Sequence, residues 1–193
     1  MITFNRICLA LVIMVALCYP AKGFCEQPRW YVEGFEPMCA RIPVECEPYR
    51  NEPAVIALTP NTFEVMNRVN TKVNEEIEYQ TDIEHYHVSE YFNYPTDGKG
   101  DCEDFALEKR RRLAALDWPR RAMLLVVVDR PGKNDIELHM LLILRTDHGD
   151  LALDINHPQI KPVDETEYSI DWIQSQKNPK IFDDGPGLRT LKR

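Results

Sequence analysis

One cysteine stands where chemistry could start. In the stretch Gly98-Lys99-Gly100-Asp101-Cys102-Glu103-Asp104-Phe105-Ala106, two glycines permit a tight turn and Asp101 is of the type that caps helices. Good helix formers follow from Glu103, so Cys102 falls in the first turn of a helix. Unpaired N–H groups and the positive dipole end stabilise a thiolate there. Asp101, Glu103 and Asp104 work against this, because they are negative charges beside a nascent anion. Something positive must offset them: an imidazolium, a metal ion, or the basic run 109–112. Few side chains can serve as the base. His139 lies between Leu138 and Met140 in an apolar run, a costly place for a polar ring without a partner. Asp154 lies near the end of the next apolar run. Alone, His139 reads as an ordinary core histidine. With Cys102 at a helix start and Asp154 on a neighbouring strand, the three fit the roles of nucleophile, base and orienter. His157, on the loop after Asp154, is the rival base, less constrained by its loop position. His85 and His87 form a His-x-His whose ordinary reading is surface or turn histidines rather than metal ligands.

These side chains need elements to hold them. Thr59-Pro60 opens a helix, with Thr as cap and Pro at the first helical position. Phe63, Met66, Val69, Val73 and Ile77 recur at spacings of three and four, which predicts one apolar, core-facing stripe. Residues 80–97 read as a loop rich in aromatic and titratable groups that could line a cleft. After the cysteine helix, Trp118-Pro119 stops the helical pattern. Residues 122–129 read as a buried central strand, 137–146 as a second strand, and 151–155 as a third, entered through the turn Asp147-His148-Gly149-Asp150. Helices carrying the cysteine followed by an antiparallel β-sheet make an α+β arrangement.

The ends and the composition bound the setting. The apolar run from Ile7 to Tyr19, with Arg6 before it and Pro20-Ala21-Lys22-Gly23 after it, reads as a cleaved secretory signal, residues 1–23. The net charge is −8, and cleavage would also remove the positive Arg6 and Lys22. So acidic a chain is unsuited to non-specific nucleic-acid binding, and the run Lys109-Arg110-Arg111-Arg112 reads as a solvated helix face. Export permits disulfides. Cys39 and Cys46 lie close together in a proline-containing segment and form the simplest pair. Cys102 is then the free thiol, and Cys25 is left over. Residues 24–58 read as a stapled, mostly irregular arm, 59–182 as the main domain and 183–193 as a flexible tail.

A resemblance covers about 58–182. Residues 70–74, Glu90-Tyr91-Phe92 with Pro95, Gly100-Asp101-Cys102-Glu103-Asp104-Phe105-Ala106 with its continuation to Arg111, Trp118-Pro119, residues 145–147 through Leu153-Asp154, and Gln174-Ser175-Gln176 with Asn178-Pro179 resemble the bacterial transglutaminase-like cysteine proteinases. That resemblance implies a papain-like, transglutaminase-core fold. It places the family's catalytic Cys, His and Asp on Cys102, His139 and Asp154. It also implies calcium, with Asp101 and Glu103 as ligands, which would answer the charge problem. The same acids would otherwise serve as helix caps. Members known from biofilm regulation are periplasmic, calcium-dependent proteases that cut a very large surface adhesin near its N-terminus. The implied partners are a protein or peptide substrate such as an adhesin and a regulatory membrane receptor, with no nucleic acid and no membrane insertion after signal cleavage.

Leu138 stands where the family usually has glycine, Met140 where it has a small residue, and Phe92 where it commonly has Trp. Such bulk could narrow the cleft, change specificity or mark a member without turnover. Two rivals follow: transglutaminase- or amidase-type acyl transfer on the same triad, and a peptide-binding module that keeps the fold.

Overall fold

A computed structural model describes residues 31–129 and 138–184. The expected signal segment, Cys25, Glu137 and the tail beyond residue 184 lie outside the described residues. No described helix is long and apolar enough to cross a membrane.

The arm carries more helix than its composition suggests. A π-turn, Tyr31–Phe35, runs into α1 (Glu36–Arg41) and a 3₁₀ turn, Pro43–Cys46. Cys39 and Cys46 are bonded, with Cα atoms 5.5 Å apart. Phe35 and Met38 are fully buried. Tertiary burial and the covalent loop thus hold a helix that local pattern does not announce. Helix α2 (Pro60–Glu76) starts as expected. Thr62 N–H donates to Thr59 Oγ1 at 3.1 Å, while Thr59 N–H donates to Thr62 Oγ1 at 2.8 Å. Its apolar stripe differs in one place: Phe63 is 41% exposed, and Asn70 is buried instead. The Asn70 amide donates to Pro158 O at 3.0 Å, so a polar residue holds a core position by pinning a distant loop.

Strand β1 (Glu78–Tyr79) pairs in parallel with β2 (Lys99–Gly100), and α3 (Asp82–His85) sits in the loop between them. Helix α4 (Cys102–Ala114) follows directly. Then come β3 (Met123–Asp129), β4 (Leu138–Thr146), β5 (Gly149–Leu153), β6 (Lys161–Pro162), β7 (Ser169–Gln174) and β8 (Phe182–Asp184). The last of these takes in Asp183 and Asp184 from the expected tail. The six strands form one antiparallel sheet in the order β6-β5-β4-β3-β7-β8. Gly149 turns the β4–β5 hairpin with φ 120°, a conformation open to glycine.

Both faces of the sheet are covered, which is why β3 and β4 are apolar almost throughout. Met123, Leu125, Val127, Met140, Leu142 and Leu144 pack with Phe105, Leu107 and Leu113 of α4 and with Met66 and Val73 of α2. Leu124, Val126, Val128, Leu141 and Ile143 pack on the other face against Val163, Tyr168 and Ile170.

The basic run departs from its expected place on a solvated face. Lys109 is 1% exposed and Arg110 fully buried. Arg110 meets a buried acid from the arm, Glu45. Only Arg111 and Arg112 stay near solvent, each ion-paired with Glu108.

Candidate active site

Cys102 is the first residue of α4, half-buried, and the free cysteine of the described residues. Asp101 occupies the N-cap position but makes no side-chain cap. Its Oδ2 instead accepts from Asp82 N–H at 3.2 Å, across to α3. A cleft of about 610 Å³ lies in front, lined by Asn74, Ile77, Tyr79, Glu90, Asp101, Cys102, Glu103, Phe105, Leu138, His139, Ile155 and Asn156. A smaller recess of about 70 Å³ shares Glu90, Cys102, Glu103, Leu138 and His139 with it and adds Phe92, Val127 and Met140. Leu138, 43% exposed, stands at the mouth of both.

The structure brings Cys102, His139 and Asp154 to one place. His139 is 2% exposed, and its Nε2 lies 2.7 Å from Asp154 Oδ1. Asp154 is held on three sides. Tyr168 OH donates to Oδ2 at 2.5 Å, Asn156 N–H donates to Oδ1 at 3.1 Å, and the Asn74 amide donates to its backbone carbonyl at 2.8 Å. Burial disfavours the Asp154 carboxylate, but His139, Tyr168 and the Asn156 N–H outweigh it and hold the group well below the usual carboxylate range. An ionised Asp154 requires a proton on Nε2 and leaves Nδ1 as the basic nitrogen. No hydrogen bond joins Sγ to His139 here; the thiol donates to Glu103 Oε2 at 3.3 Å. Catalytic contacts of this kind often tighten only when substrate binds. His157, the rival base, is absent from the cleft lining, and its ring sits 5.9 Å from that of Tyr168.

The acids beside Cys102 form a larger group than the sequence indicated. Candidate ligand atoms of Asp82, Glu90 and Glu103 lie within 4.8 Å of one another, as do those of Asp82, Asp101 and Asp104. Asp82 Oδ1, Asp101 Oδ1, Glu103 Oε1 and Asp104 Oδ2 are buried without a hydrogen-bond partner. Their other oxygens are engaged: Tyr91 N–H donates to Asp82, and Asn93 N–H donates to Asp104 Oδ1 at 2.8 Å. Burial, then Asp101, raises the Asp82 carboxyl to about 6. Burial raises Glu103 and Asp104 well above their ordinary values. Burial, then Asp101, pushes the Cys102 thiol up to about 12. Unpartnered carboxylate oxygens converging from two segments, α3 and the start of α4, fit a hard cation such as calcium, whose charge would reverse each of these shifts. Asp101 and Glu103 were candidate ligands through the family resemblance. Asp104 was visible only as a crowding charge, and Asp82 and Glu90 only as members of a titratable loop. The histidines of that loop lie elsewhere: His85 Nε2 meets Asp97 Oδ2 at 2.8 Å, and His87 takes a left-handed turn, φ 61°.

The model of the bacterial transglutaminase-like cysteine proteinase family matches residues 24–184. No curated protein matches the chain. Among solved structures, calcium-bound LapG of Legionella pneumophila overlays with a TM-score of 0.50 at 22% identity, over 67% of this chain and 75% of that one. EGTA-treated LapG of the same organism gives 0.48 at 22% identity, over 70% and 74%. At this identity the likeness is one of fold.

Proposed function

The chain belongs to the bacterial transglutaminase-like cysteine proteinases, and we propose that it is a periplasmic, calcium-dependent endopeptidase that works through Cys102, His139 and Asp154. The observation that carries this reading is the convergence of Cys102 and His139 on one cleft, with His139 Nε2 bonded to Asp154.

Cys102 Sγ loses its proton to His139 Nδ1 and attacks the scissile carbonyl carbon. The helix-start N–H of Cys102 faces the developing oxyanion. Asp154 steadies the imidazolium through Nε2. The C–N bond breaks as His139 returns the proton to the leaving amine, giving a thioester on Cys102. Water, deprotonated by His139, then hydrolyses the thioester and releases the acid. Asp82, Asp101, Glu103 and Asp104, with Glu90 at the rim, would hold calcium, which supplies positive charge beside the nucleophile. The Cys39–Cys46 bond suits an oxidising compartment. The substrate class that fits the family resemblance is a protein such as a cell-surface adhesin.

The test is digestion of a proteome-derived peptide library with the processed protein, with dansylcadaverine present as a competing amine, alongside iodoacetamide labelling. Cleavage of a defined subset is expected, abolished by Cys102→Ala and by His139→Ala with folding retained. Dansyl incorporation in place of cleavage would make the enzyme an acyl transferase. Intact peptides together with an unreactive Cys102 would make the chain a binding module.

A further inference from the structure

Asn156 was not among the residues singled out by sequence, yet it touches the triad twice. Its backbone N–H donates to Asp154 Oδ1 at 3.1 Å, and its side-chain amide nitrogen lies 3.3 Å from His139 Nε2. It also lines the large cleft.

The second contact poses a question of protons. Nε2 also lies 2.7 Å from Asp154 Oδ1. Asp154 accepts from Tyr168 OH and Asn156 N–H as well. With His139 these bonds outweigh burial and hold its carboxyl well below the usual range, so at neutral pH it is a carboxylate and can only accept. Nε2 must therefore carry a proton. An amide NH₂ beside an N–H would set donor against donor. The two ends of an asparagine amide have the same shape, and the hydrogen-bond network decides which end points where. Other charged and titratable groups near His139 do not change this outcome. Cys102, Glu90 and Glu103 line the same cleft as His139. Lys109 of α4 faces Asp154. Tyr168 donates to Asp154, its ring 6.0 Å from that of His139.

We propose that Asn156 is a positioning residue of the triad, its side-chain oxygen turned to His139 Nε2 and sharing that proton with Asp154, its NH₂ turned into the cleft. Nε2–H then has two acceptors, which fixes the ring with Nδ1 towards Cys102. The NH₂ group gives the cleft a donor for a backbone carbonyl of an extended peptide. The functional half of this inference rests on the proteinase reading above; the orientation of the amide does not.

Two measurements on the full processed protein separate them. In ¹⁵N-labelled unmodified protein, the His139 Hε2 resonance should show no strong cross-peak to the Asn156 NH₂ protons. A strong cross-peak would place NH₂ against Nε2 and overturn the inference. With p-nitrophenyl acetate as acyl donor, Asn156→Ala should lower the acylation rate about tenfold, the worth of one hydrogen bond to a group that becomes charged. Asn156→Asp keeps an oxygen at Nε2 and should recover most of that rate, while losing affinity for peptides of the library through KM. Wild-type acylation in Asn156→Ala, or no recovery in Asn156→Asp at an unchanged melting temperature, would overturn it too. If the unmodified protein is not acylated at all, the proteinase reading fails and the cross-peak still decides the amide.

Discussion

A hydrogen is all that residue 100 can carry. A Cβ built on Gly100 would meet Asp104 Oδ2 at 2.6 Å and Asp104 Cβ at 2.7 Å. The glycine is there for close approach, since the strand β2 backbone runs against the first turn of α4. That approach sets Asp104 among the other acids, where its Oδ2 has no partner. Calcium added to chelator-stripped protein should raise the melting temperature, because it binds only the folded arrangement. At a hundredfold excess over its dissociation constant the gain is about 2.7 kcal/mol. Magnesium should substitute poorly, since it demands a tighter octahedron. Asp82→Ala should reduce the calcium-dependent gain more than it changes the stability of the stripped protein. Gly100→Ala, whose Cβ meets Asp104, should lower both the gain and that stability. An unchanged melting temperature on chelation of the unmodified protein would mean that these acids hold no functional ion. Asp101 and Glu103 entered as candidate ligands through the family resemblance, which sets them on either side of the cysteine. Asp82 did not, because only the parallel pairing of β1 with β2 brings α3 to the start of α4.

The elements around the site are tied together from below by a charge network that no local pattern announces. Glu45, on the turn closed by the Cys39–Cys46 bond, is fully buried. It accepts from Arg120 Nη1 at 2.9 Å and pairs with Arg110 of α4 and with Tyr94 OH. Arg110 also donates to Gln174 of β7 at 2.9 Å. The arm is further held by Arg41, which donates to Phe92 O at 2.9 Å and lies 4.1 Å over the Tyr91 ring. Replacing Glu45 with Gln leaves Arg110 and Arg120 without a counter-charge and should cost about 3–5 kcal/mol, the usual consequence of breaking a buried pair from one side. Burial works against the Glu45 carboxylate, but Arg110 and Arg120 outweigh it and hold its pKa below the ordinary value. Stability from a depressed acid is present above its unfolded pKa and is lost as pH falls through its folded pKa. The gap between the two proteins in urea should therefore be widest near neutrality and close as the solution is acidified below about pH 4. Equal midpoints at pH 7 would refute it. This network explains why the basic run misled: Arg110 is buried because Glu45 waits for it from another part of the chain. Strands β3 and β4 were legible, by contrast, because a sheet covered on both faces writes continuous apolar runs. The shorter, more polar β6, β7 and β8 were not read as strands.

At the scale of the whole molecule, the two faces of the sheet meet at the triad. Cys102 comes from the helix layer, through the first residue of α4. Asp154 comes from the end of β5 and is braced from the opposite layer, where Tyr168 packs with Leu124, Val126 and Val128 and reaches Oδ2 at 2.5 Å. The segment after β5 thus closes the second core and orients the acid in the same fold. Sequence alone placed Asp154 by strand spacing but said nothing of Tyr168, whose role depends on a crossing over the far face. Tyr168→Phe keeps the ring and removes one donor to a charged group. It should lower unfolding free energy at pH 7 by about 1.5–3 kcal/mol, the range for such a bond. The sign with pH follows from Asp154 being held below its ordinary range. Removing the donor raises its folded pKa, so the deficit is full where Asp154 is ionised in both states. It shrinks as pH falls below the carboxylate range, where the protonated acid no longer rewards the bond. Acylation by p-nitrophenyl acetate should fall with it, since a less firmly held Asp154 steadies the imidazolium less. A Tyr168→Phe protein with the stability and acylation rate of the unmodified chain would separate the second core from the site and leave Tyr168 as packing alone.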